Sequence, residues 1–229
     1  TIELSPTPGT SDEIVRHLLL DHLLPRLVSH QGRLVLHAGA VGTGEGAILF
    51  LGQTGAGKST MVASFLDDGF ELLTDDCVLL EPHENGFRAI PAYPGLRLWS
   101  DSLTEMRSGA GHQAGGDDRS WKHRVALARD PSESSEIQAI LILEEPNRTA
   151  EAEEIQVEPV AGSGALVELL KHGFLLDPSD RGTIERQFLA VGELAETLPL
   201  FRVCYPRQYS ELPRVRQAII RRSMTERSD

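Results

Sequence analysis

Gly52-Gln53-Thr54-Gly55-Ala56-Gly57-Lys58-Ser59 decides the reading of this 229-residue chain. The octapeptide fulfils G-x-x-x-x-G-K-[ST], the Walker A pattern. It follows the apolar run Ala47-Ile48-Leu49-Phe50-Leu51 and precedes STMVASFLDDG, which reads as a helix closed by Gly69. Its three glycines let the backbone curl until several amides face one anion. Those amides, with the positive end of the helix beginning near Lys58, cradle a β-phosphate, while Lys58 reaches the β- and γ-oxygens and the Ser59 hydroxyl ligates Mg²⁺. The phosphate-binding set expected from the pattern is therefore Gly52, Gln53, Thr54, Gly55, Ala56, Gly57, Lys58, Ser59 and Thr60. An ordinary glycine-rich turn with an incidental lysine is the competing reading, and the strand before and helix after weigh against it.

Upstream of the loop, RLVLHAGAV and AILFL read as adjacent strands split by the turn residues from Gly42 to Gly46. Further upstream, Thr10-Ser11-Asp12-Glu13 reads as a capping box, opening an amphipathic helix expected to end near Pro25. Downstream, FELLT is a strand, and CVLLE and FRAIPA form a hairpin about PHENG, where Asn85-Gly86 signals a turn. Ser100 to Ser120, rich in Gly, Ser, Asp and Gln, reads as a long loop able to cover a site. IQAILILEE and FRVCYP are strands, IQVEP a weaker one, and ALVELLKHG, TIERQFLAVGELAETL and LPRVRQAIIRRS are helices. The fold class expected is α/β, a mixed sheet around a phosphate loop flanked by helices, in one domain over 1–229 with 1–30 a helical extension.

A second chemical signal is Thr74-Asp75-Asp76, an acidic pair ending the strand that follows the loop's helix. In a phosphate-loop sheet that strand end shares its edge with the phosphates. One carboxylate can then hold Mg²⁺ while its neighbour takes a proton from an attacking hydroxyl; a solvated turn before the hairpin is the alternative. Glu144-Glu145 imitates the same ending, and a capped strand end is the preferred reading there.

Composition bounds the partners. With 22 Lys+Arg against 34 Asp+Glu the formal net charge is -12, a surface that repels nucleic acid and anionic lipid alike, so neither nucleic acid nor a membrane is expected as partner. Cys77 and Cys204 lie far apart and match no oxidised framework, which fits a cytoplasmic setting. The sequence contains no N-K-x-D guanine motif, no D-x-x-G switch and no S-G-G-Q signature, so the large GTPase and transporter-ATPase classes are disfavoured.

The order His37-Ala38-Gly39-Ala40-Val41, strand, Gly52 to Ser59, helix, Gly69-Phe70-Glu71-Leu72-Leu73-Thr74-Asp75-Asp76 resembles the catalytic domain of the bacterial HPr kinase/phosphorylase family. It is more similar still to the short, stand-alone HPr-kinase-like proteins of peptide natural-product clusters, lasso peptides included, some of which phosphorylate a serine of the precursor peptide. Ala92-Tyr93-Pro94-Gly95-Leu96-Arg97-Leu98-Trp99, Leu170-Lys171-His172-Gly173-Phe174 and Tyr205-Pro206-Arg207 echo that pattern, and the likeness runs from about Leu34 to Ile220.

The resemblance implies an ATP- and Mg²⁺-dependent serine kinase for a peptide or small protein. Asp75 would activate the acceptor hydroxyl, Asp76 would join Ser59 in facing Mg²⁺, and His37 would sit beside the phosphates near Lys58. Arg97 matches an arginine of the family's signature segment, whereas the glutamate expected two positions earlier is Gly95 here. Lys122, His123 and Arg124 follow the long loop, and Lys122 and Arg124, with Arg97, are candidate charge stabilisers. Lys171 and His172 are further candidates for a basic lining of the acceptor groove. No Pro-Gly-Arg-Asn segment of the phosphorolytic kind occurs, so kinase activity is the half of the family's chemistry that is expected. Family members assemble through this domain, so a homo-oligomer is an option. Two other readings stay open: a small-molecule kinase, and a catalytically silent nucleotide-binding module.

Overall fold

The computed structural model describes residues 2–43, 46–84, 86–91, 95–98, 123–126, 134–145 and 154–225. The chain begins with α1 (Asp12–His17), a π-helical segment (Leu18–Leu23) and α2 (Leu24–His30). Ser11, one residue later than the capping box would place it, caps α1 by accepting the Ile14 N–H. The helix does not end at Pro25 as the sequence suggests. A proline has no N–H to give, and the wider π turn just before it absorbs the break, so the helical path continues to His30.

Strands β1 (Leu34–Leu36), β2 (Gly39–Thr43) and β3 (Gly46–Leu51) follow, then α3 (Lys58–Leu66), β4 (Glu71–Thr74), β5 (Val78–His83), β6 (Gly86–Ile90), β7 (Gly95–Leu98), β8 (His123–Ala126), β9 (Ser135–Leu143) and β10 (Gln156–Val160). The chain closes with α4 (Gly162–Lys171), α5 (Arg181–Thr197), β11 (Leu200–Cys204) and α6 (Leu212–Thr225). RLVLHAGAV, read as one strand, is thus two, with a corner at His37-Ala38. The expected hairpin is present as β5 and β6, closed more tightly than PHENG implies: His83 pairs with Gly86, and Glu84 takes a left-handed φ of 42°.

Nine strands form one mixed sheet whose main path runs β1-β5-β6-β9-β3-β2-β4, with β11 paired to β9 and β10 to β11. The path explains the shape. β1 and β2 are separated by four strands in the sheet but by two residues in the chain, and two extended residues span only about 7 Å. β4 and β5 lie as far apart in the path and are joined by Asp75-Asp76-Cys77 alone. Both connections are feasible only because the sheet curls until its ends approach each other across a seam.

The curl divides the core in two. On one face Ile48, Phe50, Leu141 and Val203 pack under α3 and α6 through Met61, Phe65, Val215 and Ile219. On the other, Leu36, Leu49, Leu51, Leu80, Ile140 and Ile142 pack against Ala165 and Leu169 of α4 and Val191 and Leu194 of α5. Alternation along β3 sends Ile48 and Phe50 one way and Leu49 and Leu51 the other, as a strand buried on both faces must. β3, β9 and β11 run parallel, and β2, antiparallel to both β3 and β4, makes those two run alike. The carboxyl ends of β3, β4, β9 and β11 therefore open on one edge of the sheet.

Phe50 is fully buried and stacks on Phe65 of α3 with ring centroids 5.2 Å apart. Phe50→Ala is expected to cost about 3–5 kcal/mol of stability, read as a lowered urea midpoint at unchanged slope.

Candidate active site

The loop after β3 holds itself in a nest-like curve. Gly55 and Gly57 have φ of 84° and 94°, values a side chain at either position would oppose. Gly57 also has the Tyr205 hydroxyl 3.2 Å from where a Cβ would stand, so the α3 entrance is closed to anything larger than glycine. Lys58 is buried, its ammonium donating to the Gly52 carbonyl at 2.7 Å and the Gln53 carbonyl at 3.3 Å. The lysine thus lies across the mouth of its own loop, where three ammonium protons can be handed from carbonyls to an arriving anion.

Arg207, just after β11, fastens the loop from outside. Its guanidinium donates to the carbonyls of Gly55 (3.0 Å), Ala56 (2.6 Å) and Glu144 (3.3 Å). The sequence marks Arg207 only as part of Tyr205-Pro206-Arg207; the signal for its role at the loop is its place after a strand parallel to β9 and, through β9, to β3. Glu144 ends β9 and gives its carboxylate to Arg202 at 3.0 Å, while Arg202 also holds Glu168 of α4 at 2.9 Å. The Glu144 side chain is thereby a structural anchor, as a capped strand end should be. Beside α3, a cavity of about 220 Å³ is lined by Gly57, Thr60, Tyr205, Arg207, Tyr209 and Leu212.

Across the seam, the two short connections are bonded to each other. His37 Nδ1 donates to the Asp76 carbonyl at 2.6 Å, so its proton is fixed on Nδ1. The His37 N–H donates to the carbonyl of His172 at 2.7 Å, and Leu36 bridges to Gly173. Asp75 and Asp76 are both buried, at 3% and 8% exposure. Leu73 is the extra residue of a bulge, since Val41 faces Leu72 while its neighbour Ala40 faces Thr74; the bulge sets the direction in which the chain leaves β4. A Cβ on Gly39 of β2 would stand 2.7 Å from Val62 of α3 and 3.4 Å from the Asp75 carbonyl, so glycine there brings α3 and the acidic turn together.

Electrostatics sort the neighbours. Burial lowers the His172 pKa to about 4, and the charges of Lys58 and His37 push the same way. The ring is therefore neutral near pH 7, and the expectation that it adds positive charge to an acceptor groove is corrected. Burial pushes the Cys77 thiol up to about 12, with Asp21 and Asp76 adding to the effect, so this cysteine is no nucleophile.

The structure brings Lys58, Ser59, His37, Asp75 and Asp76 to the loop edge. Arg97 and Arg124 fall directly opposite each other on the antiparallel β7–β8 ribbon, whose β7 lies against α3. Lys122 and the Ser100 to Ser120 loop lie outside the described residues. Among the described residues no group of three or more His, Cys, Asp or Glu side chains is arranged to hold a metal ion. The oxygens offered by Ser59 and Asp76 are hard donors suited to Mg²⁺, and further places in its shell commonly go to phosphate and water.

Two outcomes follow. Arg207→Ala should loosen the loop and weaken nucleotide binding about tenfold, measured by titration with a fluorescent ATP analogue. His172 titrates near 4 when folded against 6.5 as the ordinary value, so between those values the unfolded chain binds more protons and stability falls with falling pH. His172→Gln should remove that part of the acid sensitivity, on the order of 3 kcal/mol, seen as a flatter dependence of the urea midpoint on pH across that window.

Comparison with known proteins yields matches among solved structures alone. No protein-family description matches the sequence, and no curated protein matches it. The structure of the Hpr(Ser) kinase/phosphatase from Coxiella burnetii aligns with 85% of this chain and 99% of its own length, at 12% identity and a TM-score of 0.45.

Proposed function

We propose that this chain is an ATP-dependent kinase that phosphorylates a serine hydroxyl of a peptide or small protein, a ribosomally made natural-product precursor being the acceptor class favoured by the sequence resemblance. The observation that carries the reading is the shared edge: the loop holding Lys58 and the turn holding Asp75 and Asp76 emerge from parallel strands β3 and β4 on the same side of the sheet.

The phosphates of ATP settle against the amides from Gly52 to Thr60, and Lys58 exchanges its carbonyl partners for β- and γ-oxygens. The base and ribose occupy the cavity between Tyr205, Tyr209 and Leu212. Asp75 accepts the proton of the acceptor hydroxyl as the new O–P bond forms; the bond from the γ-phosphorus to the bridging oxygen breaks, and ADP leaves. Ser59 and Asp76 would hold Mg²⁺, which would supply charge neutralisation at the phosphates. His37 is a positioning residue, fixing the Asp75-Asp76 turn through the Asp76 carbonyl. Arg97, Arg124 and Lys122 are placed in the role of charge stabilisers for the transferred group. The acceptor serine belongs in a disordered tail or near a chain end, because it must enter a recess between loop and turn. A cytoplasmic setting supplies the ATP.

Labelled ATP offered with a serine-bearing peptide tail, with a metabolite panel or with neither tests the reading. Label is expected on the peptide serine, and transfer confined to a metabolite would replace this reading by that of a small-molecule kinase. Asp75→Asn should lose transfer by at least about a hundredfold with ATP affinity nearly intact, whereas Lys58→Ala should lose both. Equal loss of ATP binding in the two variants would overturn the role given to Asp75.

A further inference from the structure

His17 and His22 stand five residues apart, a spacing that an α-helix turns to different faces. The π-helical segment changes this: with i to i+5 bonding, as in the Leu24 N–H to Leu19 carbonyl bond, residues five apart come into line. The His17 and His22 rings are 4.8 Å apart at 75°, and their Nε2 atoms approach to 3.3 Å. Two imidazole nitrogens on one tetrahedral zinc, each about 2.0–2.1 Å from the metal, stand at very nearly that separation.

The carboxylate of Asp21, which is buried, holds His17 Nδ1 at 2.6 Å. The proton on Nδ1 is therefore committed to Asp21, and His17 Nε2 presents a lone pair, the carboxylate–histidine arrangement that orients imidazole ligands and makes them more basic. His22 is exposed on its outer side, so solvent has access to the point between the rings. The Arg26 guanidinium donates to the His22 carbonyl at 2.7 Å.

We propose that His17 and His22 form a binding site for a zinc-class divalent ion on the amino-terminal helix, oriented by Asp21 and completed by solvent. Imidazole ligands select Zn²⁺, Co²⁺, Ni²⁺ or Cu²⁺ over Mg²⁺, so the site is chemically distinct from the oxygen donors Ser59 and Asp76. On binding, His22 Nε2 gives up the proton it shares with His17 and takes one at Nδ1; the neutral pair thus binds the ion with no net change in protonation. The inference does not depend on the proposed kinase activity.

The test uses the full chain without a histidine tag, stripped with chelator. Co²⁺ is followed by its visible absorption and Zn²⁺ by competition with a chromogenic chelator. A single equivalent of each ion is expected to bind. His17→Gln and His22→Gln, which retain hydrogen-bonding side chains, should each abolish the Co²⁺ band, and Asp21→Asn should weaken Zn²⁺ about tenfold. Circular dichroism spectra and urea midpoints, expected to be unchanged in all three variants, report that they are folded. Absence of a Co²⁺ band in the unmodified chain, or its survival in either glutamine variant, would overturn the proposal.

Discussion

The hydrogen bond from His37 to the carbonyl of Asp76 joins the two short peptide segments that cross the seam between β1 and β2 and between β4 and β5. Each crossing is two or three residues long, so neither can relax without pulling the sheet ends apart. The same shortness that forces the curl delivers a histidine and two aspartates to one place. Site geometry here is a by-product of sheet closure, and Asp75 and Asp76 are buried because a three-residue connection across a seam has no spare length with which to reach solvent.

Against that fixed turn the loop is held by three kinds of contact that differ in what can displace them. The Tyr205 hydroxyl and the Leu143 carbonyl limit Gly57 and Gly52 by bulk alone. The Arg207 guanidinium holds Gly55 and Ala56 by charge-assisted bonds to their carbonyls. Lys58 bonds instead to the carbonyls of Gly52 and Gln53 at the start of the loop. The two cations therefore hold different parts of the curve. His172, kept neutral by burial with the charges of Lys58 and His37 adding to the effect, contributes no positive charge beside them.

Much of this was legible in the sequence where chemistry and periodicity coincide. The octapeptide Gly52 to Ser59 carried its own strand and helix, and the continuous apolar runs of β3 and β9 read as strands. Asp75 and Asp76 stood out because they end a strand one crossover away from the loop. What the sequence concealed was distance in the sheet. Nothing in RLVLHAGAV says that Leu36 and Gly39 belong to opposite ends of a curled sheet, and so nothing in it says that His37 reaches Asp76. Arg207 and His172 were equally opaque, since a lone arginine after a strand and a histidine at a helix end acquire their partners only from elements far away in the chain. Pro25 misled for a different reason: a proline ends an α-helix, but a π turn before it lets the path continue.

The position of β9 has a consequence for the order in which the molecule can be made. Ala47 of β3 pairs with Ile137 of β9, and Leu200 of β11 pairs with Ile140, so the middle of the sheet is assembled from segments that leave the ribosome far apart in time. Until β9 is synthesised, β3 presents an unpaired apolar edge. Until Tyr205 and Arg207 follow it, the glycine-rich loop has neither its wall nor its clamp. Every residue of the phosphate-loop pattern, Gly52 to Ser59, is thus synthesised well before Tyr205 and Arg207, the residues that wall and clamp the loop. The final curvature of the loop is therefore a late property of the chain, reached only when the segment after β11 has folded back onto the turn that follows β3.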